Sequence, residues 1–86
     1  MTADETNPKI KIYGTRWCYD TRVSLAFLSK NHIRYQWIDI DKDEVGREFV
    51  ERVNHGFRSV PTIVFPDGDI LVEPTNEQIK EKLNLP

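Results

Sequence analysis

The sequence contains a single cysteine, Cys18, among its 86 residues. One cysteine excludes an internal disulfide, the usual covalent support of small secreted domains, so any disulfide must form with another molecule. This usage is typical of a reducing cytosol, and we expect a cytoplasmic location. The chain also lacks the run of about 18 apolar residues that a membrane-spanning helix needs, and its first eight residues are polar and acidic. We expect a protein that is neither exported nor inserted in a membrane.

An excess of positive charge is also missing. Twelve Lys and Arg face fourteen Asp and Glu, and the formal charge of -2 argues against nucleic acid as a main partner. The length predicts one domain, and 38% hydrophobic with 30% charged residues is typical of a soluble folded chain. Residues 1–8 have no apolar pattern and are predicted to form a disordered tail, which leaves residues 9–86 for the domain.

Strand and helix patterns alternate along the rest of the chain. Period-two alternation, helical spacing of apolar residues and turn residues predict strands at 10–13, 35–41, 62–65 and 70–72, and helices at about 18–31, 45–53 and from 75 onward. Thr75 and Gln78 form a capping-box pattern at the start of the last helix. The order is β-α-β-α-β-β-α. The first two strands should run parallel through a right-handed crossover, and the last two should form an antiparallel hairpin. The second strand is predicted to be buried on both faces.

Cys18 begins the first helix, directly after a strand and a short loop. The free N–H groups and the positive end of the helix dipole stabilise a thiolate there. Arg16 precedes the cysteine, and Arg22 lies one turn further along, where it either adds positive charge or is a solvated surface arginine. Asp20 opposes a second negative charge, or it satisfies N–H groups of the first turn. The alternative for Cys18 is a buried hydrophobic residue.

Three segments carry a resemblance to a known family: Tyr13 to Thr21, Ser59 to Thr62, and Glu73 to Asn76. Together they are similar to the glutaredoxins of the thioredoxin superfamily, and most of all to mycoredoxins and related bacterial glutaredoxin-like proteins. The resemblance implies a thioredoxin fold for residues 9–86, with a four-stranded mixed sheet flanked by three helices. It also implies that Cys18 is the catalytic nucleophile and that a cis bond precedes Pro61. The Val60 backbone would then pair with the cysteinyl unit of a thiol ligand.

The motif departs from dithiol glutaredoxins at its fourth position. The run is Cys18-Tyr19-Asp20-Thr21, so Thr21 replaces the resolving thiol and only monothiol exchange remains. The resemblance therefore implies a thiol–disulfide oxidoreductase in which Cys18 exchanges with mixed disulfides of proteins and a small thiol. The Thr21 hydroxyl either bonds the thiolate or caps its own backbone. Trp17 is either a lid beside the sulfur or a packed aromatic residue.

The resemblance leaves the small thiol open among glutathione, mycothiol and bacillithiol. The turn Glu73-Pro-Thr-Asn lacks the glycines and aspartate that glutathione-using members show. Thr75 and Asn76 offer helix N-terminal donors to a carboxylate. Arg58 is a candidate ligand contact, or a solvated loop arginine. We expect a monomer that binds small thiols and thiolated proteins, with no nucleic acid, no membrane and no bound metal.

Two alternatives stay open for the function. A thioredoxin-fold binding module without catalysis could hold a small thiol, or a [2Fe–2S] cluster bridging a dimer. Cluster-binding monothiol glutaredoxins typically show Cys-Gly-Phe-Ser and, later, a Trp directly before the proline loop, and neither is present. Tyr19 and Asp20 would crowd and repel an anionic cluster. A protein that keeps the fold only for partner contact is the other alternative.

Overall fold

The computed structural model describes residues 9–86, and the predicted tail at residues 1–8 lies outside the described residues. The elements, numbered here in chain order, are β1 Ile10–Gly14, α1 Tyr19–Lys30, β2 Tyr35–Asp39, α2 Glu44–Val53, β3 Thr62–Val64, β4 Ile70–Val72 and α3 Asn76–Lys82. This order confirms the β-α-β-α-β-β-α prediction. Over the described range, each helix is too short or too polar to cross a membrane.

The four strands form one mixed sheet in the order β2-β1-β3-β4. β1 pairs in parallel with β2, and the register places Ile12 beside Trp37. β3 runs antiparallel to both β1 and β4. The predicted parallel crossover and terminal hairpin are therefore confirmed. β1 is an inner strand of the sheet, so its carboxyl end lies between the ends of β2 and β3. The loop that leads to Cys18 begins at this end.

Apolar side chains on both faces of the sheet form two clusters. The larger one contains the buried residues Ile10, Ile12, Leu28, Ile63, Phe65 and Ile79. The smaller one, on the other face, contains Tyr13, Ile40 and Val50. Tyr13 stacks on Phe49 with ring centroids 4.8 Å apart. Burial raises the pKa of the Tyr13 hydroxyl, and the negative charge of Asp43 raises it further.

β2 departs from the prediction of a strand buried on both faces. It lies at the edge of the sheet, and its five residues are partly buried or exposed. Tyr35 and Trp37 pack against the larger cluster and Ile38 against the smaller one, so the strand contributes apolar side chains to both faces of the sheet. An edge strand has only one strand neighbour, which leaves part of each side chain open to solvent.

The start of α2 shows a second difference. Val45 falls at helical spacing with the apolar residues Phe49 and Val53, a pattern that predicts a buried face, yet Val45 is 77% exposed. The neighbouring Gly46 is buried instead, and a Cβ atom there would lie 2.6 Å from Cγ2 of Ile38. The helix approaches β2 through this glycine, while Asp43 caps it by accepting from the Gly46 N–H at 2.8 Å. The close approach turns Val45 outward.

An ionic contact ties the β3–β4 turn to α3. The Lys82 ammonium donates to both Asp67 and Asp69, and it lies 5.6 Å from the ring centroid of Phe65. The hydrogen bond from Lys82 lowers the pKa of Asp67, and the Asp69 N–H lowers it further. The same carboxylates raise the pKa of Lys82, Asp67 most of all. Opposite pKa shifts of this kind indicate an ion pair.

Candidate active site

Three segments that are distant in sequence meet at the carboxyl end of β1. They are the loop that ends at Cys18, the Val60–Pro61 segment before β3, and the turn Glu73–Asn76 before α3. Sγ of Cys18 lies 3.9 Å from the carbonyl oxygen of Val60. The Glu73 N–H donates to the Pro61 carbonyl oxygen at 2.8 Å. These two contacts join the segments into one site.

Cys18 occupies the N-cap position of α1 in an extended conformation, and its side chain makes no capping hydrogen bond. Its backbone N–H donates to the Thr15 carbonyl oxygen at 3.3 Å, and its carbonyl oxygen accepts from the Arg22 N–H at 3.1 Å. The side chain is partly exposed. The alternative of a fully buried cysteine is therefore wrong. The partly exposed residue lies at the positive end of a helix of twelve residues.

Thr21 lies in the first turn of α1, where a dithiol protein would carry its second cysteine. The residue is fully buried. Its Oγ1 atom has no hydrogen-bond partner among residues 9–86, so neither expected contact, to the thiolate or to its own backbone, is formed. The side chain packs against Gly14, where a Cβ atom would lie 2.6 Å from Cγ2 of Thr21.

The two arginines beside Cys18 hold the loop. The Arg22 guanidinium donates through Nη1 to the Arg16 carbonyl oxygen at 3.0 Å, so Arg22 is more than a solvated arginine. The Arg16 guanidinium carbon lies 5.5 Å from the ring centroid of Trp37 in β2, a cation–π contact. Both side chains therefore bind protein groups in this structure, one inside the loop and one on the neighbouring strand.

Two aromatic side chains flank the thiol. Trp17 is 72% exposed and Tyr19 is 69% exposed, so the alternative of a packed Trp17 is wrong. The Trp17 Nε1–H donates to Oδ2 of Asp41 at 2.8 Å. Sequence reasoning missed Asp41. The signal was present, because the carboxyl ends of two parallel strands meet at one sheet edge, and Asp41 follows β2 as Trp17 follows β1.

The Val60–Pro61 peptide bond is cis, as the resemblance implies. Across residues 9–86, no backbone carbonyl accepts a hydrogen bond from the Val60 N–H. The Val60 carbonyl oxygen faces the Cys18 thiol. Val60 thus has an unpaired backbone N–H beside the sulfur, a group that can pair with the backbone of an extended ligand.

A groove of about 480 Å³ separates the start of α1 from the turn before α3. Its lining includes Tyr19, Asp20, Val23 and residues 73–77, and it carries the carboxylates of Asp20, Glu73 and Glu77 but no Lys or Arg. Oδ1 of Asn76 is buried without a hydrogen-bond partner in the described part of the chain. The lining of the groove is therefore negatively charged.

Thr75 was expected to donate its N–H to a ligand carboxylate. The structure shows the predicted capping box instead: the Thr75 N–H donates to Oε1 of Gln78 at 2.8 Å, and the Gln78 N–H donates to Oγ1 of Thr75 at 3.1 Å. Both polar groups of Thr75 are thus used within the helix start. This leaves the turn with fewer donors for an anion than the sequence suggested.

Arg58, a candidate ligand contact, pairs with Glu51 of α2. Its Nε–H donates to Oε2 at 2.8 Å, and 62% of its side chain is exposed. Exposed ion pairs are weak, so a ligand can compete for this arginine.

Within residues 9–86, the His, Cys, Asp and Glu side chains form no group of three or more that could hold a metal ion.

Comparison with known proteins decides the family. The family model described as Glutaredoxin matches residues 10–71. The chain belongs to the glutaredoxin family. A glutaredoxin-named protein of Mycobacterium tuberculosis is 43% identical over 75 residues, which is 86% of this chain and 88% of that relative. Mycoredoxin 1 of Corynebacterium glutamicum is 36% identical over 74 residues, with 86% of this chain and 91% of the relative covered.

Solved structures agree on the fold of this glutaredoxin. A variant of a thioredoxin-like protein superposes with a TM-score of 0.80 at 27% identity, covering 91% of this chain and 97% of the other. Glutaredoxin-1 of Archaeoglobus fulgidus superposes with a TM-score of 0.71 at 28% identity, covering 87% and 85%. The predicted thioredoxin fold is therefore confirmed. Glutaredoxins act on thiols and protein disulfides, and the family and fold support a redox function of that kind here.

Proposed function

We propose that this glutaredoxin is a monothiol thiol–disulfide oxidoreductase, an enzyme in which Cys18 alone carries the exchange. The observation that supports this most strongly is the position of Cys18: partly exposed, at the N-terminus of α1, and 3.9 Å from the Val60 carbonyl oxygen. Thr21 has no sulfur and is buried away from solvent. Among the described residues, the site therefore contains one thiol, that of Cys18, beside the Val60 backbone, and no second thiol that could resolve a mixed disulfide.

The exchange runs in two balanced steps. The Cys18 thiolate attacks the small-thiol sulfur of a protein mixed disulfide, and the protein thiolate leaves and takes up a proton. A second small-thiol thiolate then attacks the small-thiol sulfur bound to Cys18, which releases the Cys18 thiolate and a symmetrical disulfide. Over both steps, the protein mixed disulfide and one free small thiol become a protein thiol and the symmetrical disulfide of the small thiol, so the disulfide bond passes from the protein to the second small thiol. Cys18 begins and ends as a thiolate.

We propose mycothiol as the small thiol. Glutathione carries carboxylates at both ends, whereas mycothiol is a sugar-linked acetylcysteine without a carboxylate. A groove lined by Asp20, Glu73 and Glu77 repels a carboxylate, and the Thr75 N–H is already bound in the capping box. Asn76 lines the same groove and carries no charge, so it does not oppose a neutral sugar. The similarity to a mycoredoxin supports the same choice.

The remaining site residues take supporting roles in this proposal. Val60 pairs with the cysteinyl unit of the thiol, and Pro61 holds the turn before α3 through its carbonyl oxygen. Thr75 and Asn76 line the groove, and Arg58 contacts the ligand when its exposed pair with Glu51 opens. We also propose that residues 9–86 form the glutaredoxin-like domain, and that the protein is a cytoplasmic monomer transferring electrons in redox homeostasis.

A mass-spectrometric experiment tests the proposal. The reduced protein is incubated with the symmetrical disulfides of mycothiol, glutathione and bacillithiol, and intact mass identifies which thiol adds to Cys18. We expect the mycothiol adduct to form fastest, and a mycothiol mixed disulfide of a cysteine peptide to be turned over. Cys18→Ser keeps the size of the side chain and should abolish both reactions. Turnover that persists in this variant would rule out the monothiol mechanism.

Charge variants test the choice of thiol separately. Glu73→Gln and Glu77→Gln remove negative charge from the groove without changing its shape. We expect adduct formation from glutathione disulfide to accelerate in these variants, and more at low salt because screening weakens repulsion. The rate with mycothiol disulfide should be nearly constant. A matched control is Glu81→Gln, an exposed position of α3 that is not part of the groove lining. Equal responses to both thiols would contradict the role given to these carboxylates.

A further inference from the structure

Trp17 is exposed and yet held in place. Its side chain is 72% accessible to solvent, and it directly precedes Cys18 in the chain. Its one polar atom donates to Asp41 at 2.8 Å, across 24 positions of sequence. A bond to an ionised acceptor is stronger than one between neutral groups. The contact therefore restricts a large aromatic ring next to the reacting sulfur.

Asp41, which holds the indole, lies in a hydrogen-bonded turn. The Asp41 N–H donates to Oδ1 of Asp39 at 3.0 Å, and the Asp43 N–H donates to the Asp39 carbonyl oxygen at 2.8 Å. Asp43 in turn caps α2. On the other side, Arg16 lies over Trp37 of β2. Both ends of the Trp17–Asp41 contact thus belong to firmly hydrogen-bonded or packed structure.

The sheet order shows which side of Cys18 this indole covers. β1 is flanked by β2 on one side and β3 on the other. Val60 and the acidic groove lie on the β3 side, whereas Asp41 follows β2. If the small-thiol half of a mixed disulfide lies on the β3 side of Cys18, the protein half lies on the β2 side. Trp17 is the aromatic surface exposed there.

We propose that Asp41 is a positioning residue that fixes the Trp17 indole as a wall for the protein half of the mixed disulfide. The substrate part of this inference rests on the proposed exchange function. A prepositioned ring loses less conformational freedom on binding than a mobile one. Asp41 therefore lowers KM for thiolated protein. It does not affect kcat, because the chemical step at Cys18 depends on the N-terminus of α1 and on Val60.

Kinetics on the mycothiol mixed disulfide of a cysteine peptide test the role. We expect Asp41→Ala to raise KM about threefold to tenfold with little change in kcat, the loss typical of one hydrogen bond. Asp41→Asn keeps an acceptor oxygen and should restore most of the wild-type KM. The matched control is Glu44→Ala, which removes an exposed carboxylate three positions away and should change neither constant.

A double-mutant comparison separates positioning from charge. Trp17→Phe keeps an aromatic ring but has no N–H to donate, so Asp41→Ala should have no further effect on KM in that background. A full effect there would show that Asp41 acts through its charge, and it would overturn the inference. An unchanged KM for Asp41→Ala in the otherwise wild-type chain would overturn it as well.

A spectroscopic readout is independent of activity. In 15N–1H correlation spectra the two tryptophan indole signals are assigned by loss of one in Trp17→Phe. We expect Asp41→Ala, but not Asp41→Asn, to shift the Trp17 signal and speed its exchange with water. A Trp17 signal that is unaffected by Asp41→Ala would overturn the positioning claim. A wild-type protein that exchanges no thiol would overturn the proposed function instead, and the substrate part of the inference with it.

Discussion

Gly14 and Thr21 are in direct contact beneath the loop that carries Cys18. A Cβ atom added at Gly14 would lie 2.6 Å from Cγ2 and 2.7 Å from Oγ1 of Thr21. The end of β1 and the first turn of α1 are therefore closer than any larger residue at position 14 allows. This contact sets the distance between the end of β1 and the first turn of α1. It therefore also sets the position of Cys18, which lies between them in the chain.

Gly14→Ala should disturb this contact. Neither Cγ2 nor Oγ1 of Thr21 can move far, because the residue is fully buried. We expect a loss of about 1–3 kcal/mol in the free energy of unfolding, the usual cost of overpacking, measured by urea denaturation. Thr21→Ala in the same chain removes both clashing atoms and should recover part of the loss. A double variant no more stable than Gly14→Ala alone would contradict this explanation.

Thr21→Val should not destabilise the protein. Valine has nearly the shape of threonine, and the replaced Oγ1 has no partner among residues 9–86. Burying a hydroxyl without a partner costs about 1–3 kcal/mol, so we expect equal or higher stability in urea. Thr62→Val is the matched control, because the Thr62 hydroxyl donates to the Ser59 carbonyl oxygen at 2.7 Å. That variant should lose stability. Similar losses at both positions would contradict the assignment of an unbonded Thr21.

Thr21→Cys should create a dithiol site. Cys18 is the N-cap of α1 and Thr21 is the third residue of the helix, so their side chains are neighbours at the spacing i, i+3. We expect an internal disulfide on mild oxidation, seen as loss of free thiol without dimer formation. The control combines Thr21→Cys with Cys18→Ser and should retain its one thiol. Two thiols that stay reduced while both react with a maleimide would show that the geometry is wrong.

The Lys82 contact predicts a pH-dependent stability. Because folding lowers the pKa of Asp67, its contribution is present above the unfolded value of about 3.9 and is lost as the pH falls through the folded value. The raised pKa of Lys82 makes its contribution present at neutral pH and lost only in strong alkali. Lys82→Met should therefore lower Tm at pH 7, and the difference from the wild type should shrink toward pH 2. Lys80→Met on the same helix serves as the control.

Two results would contradict the explanation that Lys82 stabilises the fold through an ion pair. Methionine preserves the aliphatic stem of Lys82 near Phe65, so a difference in Tm that is the same at pH 7 and pH 2 would indicate lost packing rather than a lost ion pair. A Lys80→Met variant with the same pH dependence would indicate a general charge effect of α3.

Residues close together in sequence were predicted well. The element order, the Thr75–Gln78 capping box and the place of Cys18 at a helix start depend on periodicity, caps and turns, which act over a few residues. The sequence by itself therefore determined the elements and the position of the one cysteine at a helix start. It also excluded a dithiol motif, because the residue at position 21 carries no sulfur.

Contacts between distant segments were decided only by the tertiary structure. The edge position of β2, the exposure of Val45 and the pairing of Arg58 with Glu51 all depend on which surfaces face each other after folding. The bond from Trp17 to Asp41 joins two loops that meet only because β1 and β2 run parallel. A side chain's partners follow from packing across the sheet, and no local pattern encodes that geometry.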